Sequence, residues 1–297
     1  MRAPSGETYA KVKCLLRELQ LHTVCEEAQC PNSAECWGGG TATIMILGDV
    51  CTRGCRFCAV KSGNPRGRVD PDEPQKVAAA LAKLDIKYAV LTSVDRDDLR
   101  DGGSGHYART ISAIKEMHPD IIIEALIPDF SGDGKALIKV VEAGPEVIGH
   151  NIETVERLTP TVRDRRSTYR QSLSVLKAIK RMNPNIYTKS SIMLGLGETD
   201  EEVLSSFDDL RTVGVDMLTV GQYLRPSEWH LPVSEYIPPE KFERYRGLAR
   251  ERGFLYAASG PLVRSSYRAG EFFIEATTRR EKEMVANGRQ PVQDRQQ

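Results

Sequence analysis

Residues 41–58 read TATIMILGDVCTRGCRFC, an apolar run of strand type that runs directly into three closely spaced cysteines. The run Thr41–Leu47 is short, rich in β-branched residues and ended by Gly48, as a buried strand requires. Five further runs of the same kind follow: Tyr88–Thr92, Ile121–Ile127, Val147–Ile152, Ile186–Leu194 and Met217–Leu224. Helical spacing fills the gaps between them. Val77, Leu81 and Leu84 share one face, and Tyr107, Ile111 and Ile114 share another. Thr199 and Glu202 form a capping box ahead of the stripe Val203, Phe207 and Leu210, with Gly214 as the stop. Strands that alternate with helices in this way pair in parallel, because each crossover returns over a sheet face. The expected fold is therefore α/β. It is a partial (β/α)6 TIM-like barrel with an N-terminal cysteine-rich arm and a C-terminal extension; a doubly wound sheet is the alternative. The expected divisions are 1–40 for the arm, 41–258 for the barrel and 259–297 for the extension, whose last stretch is charged and reads as a flexible tail.

Polar residues gather where these strands end. Ser93, Asp95, Arg96, Asp97 and Asp98 follow the second strand, Asp129 follows the third, and Asn151 and Glu153 lie at the fourth. Lys189 and Ser190 lie within the fifth, Glu198 follows it, and Gln222 and Arg225 close the sixth. Parallel α/β folds bind ligands at that end, although each such residue could equally cap the next helix. Asn151 and Lys189 stand apart, since a polar group inside a buried strand needs a partner.

Seven cysteines occur in the 297 residues, and none follows Cys58. Cys51, Cys55 and Cys58 form a C-x3-C-x2-C loop directly after the first strand. Three thiolates so spaced can hold three irons of a 4Fe–4S cube and leave the fourth iron open for a small molecule. Structural zinc prefers four ligands and fits this triplet poorly. Cys25, Cys30 and Cys36 form a second triplet, for which a second cluster, a zinc site or buried thiols are the readings. Cys14 lies among Val12, Leu15, Leu16 and Leu19, where a buried free thiol is expected.

The C-x3-C-x2-C loop, with an aromatic residue before its third cysteine and a βα barrel behind it, resembles the radical S-adenosylmethionine (SAM) superfamily. Residues 22–60, HTVCEEAQCPNSAECWGGGTATIMILGDVCTRGCRFCAV, are similar to the signature of one of its branches, the lipoyl synthase family. So are TSVDRDDLRDGG (92–103), HNIETV (150–155), KSSIMLGLGET (189–199), GQYLRPS (221–227) and GPLVRSSYRAGE (260–271). The resemblance implies a sulfurtransferase that inserts two sulfur atoms at C6 and C8 of a protein-bound octanoyl group. It implies that Cys51, Cys55 and Cys58 hold the SAM-cleaving cluster, whose 5′-deoxyadenosyl radical abstracts hydrogen. It also implies that Cys25, Cys30 and Cys36 hold an auxiliary 4Fe–4S cluster that donates sulfur, with Ser266 as fourth ligand, or Ser265 if the register shifts by one. Ser93, Asn151 and Lys189 fall where the family contacts SAM, two molecules of which are spent per product. Such unactivated carbons carry no acidic proton, so a cofactor radical suits them where an acid–base pair would not.

The implied partners are an octanoylated lipoyl carrier domain or H protein and a reductant such as ferredoxin or flavodoxin. Arg163, Arg165 and Arg166 offer a basic patch for an acidic carrier, or only a solvated surface. Lysine and arginine total 41, as do aspartate and glutamate, so no bulk charge draws the chain to nucleic acid or membrane. No apolar run nears the roughly 18 residues of a membrane span. With no signal-peptide core at the start, a cytoplasmic location is expected. Two other readings are another radical SAM enzyme, such as a second type of sulfur inserter or a methylthiotransferase, and a non-catalytic iron–sulfur protein.

Overall fold

The computed structural model describes residues 7–23, 25, 32, 35–36, 41–84, 86–271, 273–274 and 277. A seven-stranded sheet forms the body, in the order β1-β4-β5-β6-β7-β8-β9. Its strands are β1 (Thr41–Ile46), β4 (Tyr88–Ser93), β5 (Ile122–Leu126), β6 (Val147–Gly149), β7 (Tyr187–Leu194), β8 (Met217–Gln222) and β9 (Tyr256–Gly260). Every pairing in it is parallel. Two-residue strands β2 (Val50–Cys51) and β3 (Lys61–Ser62) pinch together the base of the cysteine loop. The partial barrel expected from the sequence is thus present, with one strand more than the six expected. The seventh, YAASG, follows Tyr256 with four small residues of little β propensity and left no strand signal.

Helices α1 (Glu7–Glu18), α2 (Glu73–Lys83), α3 (Ser104–Met117), α4 (Gly134–Glu142), α5 (Thr159–Val162), α6 (Tyr169–Met182), α7 (Asp200–Thr212) and α8 (Pro239–Glu251) accompany the sheet. Strand pleating decides which side chains meet them. Ala89 and Leu91 point outward and join Val77, Leu81, Ile111 and Ile114 of α2 and α3 in the main core. Tyr88 and Val90, one residue out of phase, face the lumen and pack with Ala269 of the C-terminal segment. The capping box of α7 forms as expected: Thr199 accepts from the Glu202 amide while Glu202 accepts from the Thr199 amide. Gly214, at φ 84°, ends that helix turn.

Two expectations need correction. The fourth strand stops at Gly149 and does not continue to Ile152. The His150 amide still donates to the Lys189 carbonyl at 3.0 Å; the ladder then breaks, and Glu153, with a left-handed backbone (φ 68°), meets β7 again at an isolated bridge to Ile192. Cys14 is exposed, its thiol 3.5 Å from Glu18 Oε1 on the outer face of α1, while Leu16 carries the buried face.

The C-terminal segment fills the lower lumen. Phe273 stacks edge-on against Tyr187 at 5.5 Å between ring centroids and lies 6.0 Å from Tyr88. These two tyrosines, with Val147 and Met217, are the first residues of their strands, so Phe273 closes the N-terminal mouth of the barrel. A side chain at Gly270 would press on Tyr88 Cβ at 3.2 Å, which explains the glycine there. What remains open is the upper lumen, at the C-terminal ends of the strands.

Candidate functional site

That upper lumen holds a cavity of about 230 Å³. Cys51, Cys55 and Cys58 line one wall; Ser93, Asp95, Asn151 and Glu153 come from the strand ends, and Met45 and Leu126 supply apolar surface. The strands converge here because each lumen-facing residue near a C-terminal end points into the same space.

The cysteine loop is held from its middle. Arg53, between Cys51 and Cys55, is buried at 3% exposure. It forms ion pairs with Asp95 at 3.2 Å, Asp97 at 2.9 Å and Asp129 at 2.7 Å, and donates to Ser167 at 2.9 Å. Burial alone would lower its hold on the proton, but the three carboxylates hold the guanidinium charged more firmly than usual. Thr52 donates to Asp97 at 2.8 Å, the Gly54 amide donates to Asp164 at 3.0 Å, and Ser62 donates to the Arg53 carbonyl at 3.0 Å. His230 Nε2 donates to the Cys58 carbonyl at 2.9 Å, which can only accept; this fixes the tautomer and leaves Nδ1 to accept from Ser227.

Burial pushes the Cys51 thiol up to about 11 and Cys55 up to about 12, and raises Cys58 as well. Backbone amides of Arg53 and Asp164 point at the sulfurs of Cys51 and Cys55, at 3.4 and 3.2 Å, and oppose that rise. Such thiols stay protonated in neutral solvent and release their protons to it only when a bound cation takes the sulfur. Among the described residues no three His, Cys, Asp or Glu side chains converge on one ion-sized point. A cube asks for something else: three sulfurs on one wall, each for a different iron, with open space before them. The donor set and cavity meet that description.

Ser93 and Asn151 both line the cavity. Lys189 does not. Its ammonium is buried below the cavity, 2.9 Å from both oxygens of Glu124, which also accepts from Tyr88 at 2.8 Å. The partner demanded by a polar residue in a buried strand is therefore Glu124. Arg163, expected on a basic surface, is buried at 8% and donates to Ser172 at 2.8 Å. Arg166 is spent on Asp164 and Asp97, so only Arg165 of that trio faces outward without such a role.

Ser172 passes the hydrogen bond on. His150 Nδ1 donates to the Ile127 carbonyl at 2.9 Å, so its Nε2 accepts from Ser172 at 2.9 Å. Burial first, then the charge of Arg163, bring His150 down to about 4.

Of the second triplet, Cys25 and Cys36 pack against the main core, and Cys30 lies outside the described residues. The arm meets the C-terminal segment directly. Asn32 donates to the Leu262 carbonyl at 2.6 Å, and Tyr267 donates to Glu35 at 3.1 Å. Half-buried Ser265 and Ser266 lie between these two contacts in sequence, on the strand of chain that faces the arm. Arg53 and Glu124 are the functional residues that sequence reasoning missed. Arg53 occupies a variable position of the cysteine spacing, and Glu124 sits in a run too apolar to draw attention.

Residues 45–210 match the model of the radical SAM superfamily, and residues 1–30 match the N-terminal domain of lipoyl synthase of that family. A lipoyl synthase of Thermus thermophilus is 59% identical over 276 residues, spanning 93% of this chain and 85% of its own. The chain belongs to the lipoyl synthase family. A lipoyl synthase of Myxococcus xanthus is 56% identical, over 95% of this chain and 94% of its own. A mitochondrial lipoyl synthase of Culex quinquefasciatus is 59% identical, over 92% and 73%. In fold, the chain is similar to methylornithine synthase (TM-score 0.55, 14% identity, 97% and 95% covered). It is also similar to the hydrogenase maturase HydG of Carboxydothermus hydrogenoformans (0.57, 13%, 94% and 79%). As a lipoyl synthase the protein is a radical SAM sulfurtransferase, and SAM and 4Fe–4S clusters are its cofactors. No helix among the described residues is long and apolar enough to cross a membrane.

Two outcomes follow from the buried charges. Lys189→Met leaves Glu124 uncompensated and is expected to cost about 3–5 kcal/mol in urea unfolding, partly restored by Glu124→Gln. The KM for SAM should stay unchanged in the folded double variant; a rise would return Lys189 to SAM contact. His150 stays neutral in the fold, so the unfolded chain takes its proton first. Stability should therefore fall by about 3 kcal/mol as pH drops from 6.5 towards 4. Asp95, pushed up to about 6 by burial, works in the opposite sense over part of that range. The difference between wild type and His150→Gln in urea titrations at each pH isolates the histidine.

Proposed function

We propose that the upper lumen is where this lipoyl synthase cleaves SAM, and that the contact of arm and C-terminal segment carries the sulfur source. The observation that carries the reading is the wall of three half-buried thiols facing a cavity at the C-terminal ends of the strands. Cys51, Cys55 and Cys58 would hold the SAM-cleaving cluster, with Ser93 and Asn151 beside the bound SAM. When bound, cluster and SAM supply the radical that takes hydrogen from an unactivated carbon. The chain's own part is positional. Arg53 and its carboxylates fix the thiols, the deep cavity keeps water from the reacting carbon, and Met45 and Leu126 give an acyl chain an apolar surface.

Cys25, Cys30 and Cys36 would hold the auxiliary cluster, with Ser266 as its fourth ligand. The reading is supported by the Asn32–Leu262 and Tyr267–Glu35 contacts, which bring the serine-bearing segment to the arm. A serine oxygen binds iron less firmly than a thiolate, which suits a cluster that gives up sulfur. The substrate would be an octanoyl group on a lysine of a lipoyl carrier domain or H protein, receiving sulfur at C6 and C8 at the expense of two SAM. Ferredoxin or flavodoxin would supply the electrons. The division into arm (1–40), barrel (41–258) and extension (259–297) would follow this split of labour, with the barrel's last strand running on to Gly260. A cytoplasmic site of action goes with the bacterial relatives; relatives named mitochondrial leave an organelle as the second setting.

Anaerobic reconstitution should load about eight irons per chain. Mass spectrometry of an octanoylated carrier peptide after turnover should show the gain of two sulfurs. Ser266→Ala should keep SAM cleavage yet lose most sulfur insertion, whereas full insertion by this variant would remove Ser266 from the ligand set.

A further inference from the structure

The run Asp95-Arg96-Asp97-Asp98 holds the cysteine loop with both of its faces. Asp95 and Asp97 grip Arg53 in the middle of the loop, as described above. Arg96 and Asp98 point the other way, into a second buried charge cluster that the chemistry of the cavity leaves unused. Arg96 is 1% exposed. It donates to the Leu47 carbonyl at 2.9 Å, to the Arg68 carbonyl at 2.8 Å and to Asp98 at 2.8 and 2.9 Å. Asp98 in turn accepts from the Gly67 amide at 2.7 Å.

Leu47 and Arg68 are the root and the exit of the cysteine loop. Leu47 has φ 69°, a left-handed backbone that is strained for a branched residue and persists only where its surroundings impose it. They do so on three sides. The Leu47 amide donates to Glu73 at 2.8 Å, and Glu73 is itself bonded to His106 at 2.6 Å. The Leu47 carbonyl is held by Arg96. Its side chain lies where a Cβ on Gly103 would come within 2.4 Å. Arg96 thus touches both ends of the loop.

We propose that Arg96 is a positioning residue for the SAM-cleaving cluster: it ties the root of the cysteine loop to its exit and so sets the placing of the three thiols. This rests on the reading of Cys51, Cys55 and Cys58 as that cluster's ligands. A planar guanidinium can serve two carbonyls and a carboxylate at once; an ammonium on a shorter reach cannot.

The test is Arg96→Lys in the full chain, reconstituted anaerobically, with hydrogen exchange of the apo-protein alongside. Exchange should rise in peptides covering 47–68 and stay unchanged in β7 and β8. The electron paramagnetic resonance signal of the reduced SAM-cleaving cluster should broaden, and SAM cleavage should fall about tenfold or more, as loss of alignment predicts. Auxiliary iron should stay in place. Unchanged exchange at 47–68 would overturn the proposal, and so would raised exchange with an unaltered signal and full cleavage. Should Arg96→Lys fail to fold, Asp98→Asn, which frees Gly67 and one side of Arg96, is read by the same measurements and the same criteria. Cys55→Ala separates the two layers. SAM cleavage surviving in that variant would refute the ligand assignment, while the exchange result would still report on the brace.

Discussion

A guanidinium buried among three carboxylates is the constraint on which the rest of this molecule turns. Arg53 sits inside the cysteine loop, and Asp95, Asp97 and Asp129 stand beyond the ends of β4 and β5. Left unpaired, any one of these charges would be costly to bury. Together they make the loop and the sheet a single unit, since neither can be moved without exposing charge to an apolar surrounding. The thiols inherit their positions from that unit. Their raised proton affinities follow from the same burial.

The lumen is divided by depth. At the bottom, Phe273, Ala269 and the Tyr88–Glu124–Lys189 group fill the barrel with ring, methyl and a satisfied ion pair. At the top, the cysteine loop and the strand ends enclose an open cavity lined by both polar groups and apolar side chains such as Met45 and Leu126. A barrel whose sheet stays open between β1 and β9 has no strand to close its interior, and the C-terminal segment does that work. One stretch of chain thus serves both ends: Phe273 seals the floor, and Ser265 and Ser266, a few residues earlier, stay level with the arm.

The fold was legible where periodicity was strong. β7, α7 and its capping box stand in the structure much as the sequence suggests. β9 was silent because alanine, serine and glycine carry no strand preference of their own. The cysteine loop was legible because a spacing of three thiols has few competing uses. Polar residues at strand ends were less so: a sequence cannot say whether an aspartate caps a helix or answers an arginine 44 residues away, as Asp97 does for Arg53. Lys189 shows the same limit. Its burial was evident from the run around it, but its partner, Glu124, lies 65 residues distant. Arg163 misled for the converse reason, since three arginines within four residues look like surface until one turns inward to Ser172.

The two clasps differ in how far they reach along the chain. The Arg53 contacts close spans of 44 and 76 residues within the sheet. The contacts between arm and C-terminal segment close spans of 230 and 232 residues and involve no strand pairing between the two ends. Long closures carry the larger entropy cost, and contacts of this kind form late and open first. Chain synthesis adds to the asymmetry, because Leu262 and Tyr267 emerge after the whole barrel has been made. Asn32 and Glu35 must therefore wait through nearly all of translation for their partners. The same clasp can later part without a single ladder hydrogen bond being broken in the sheet.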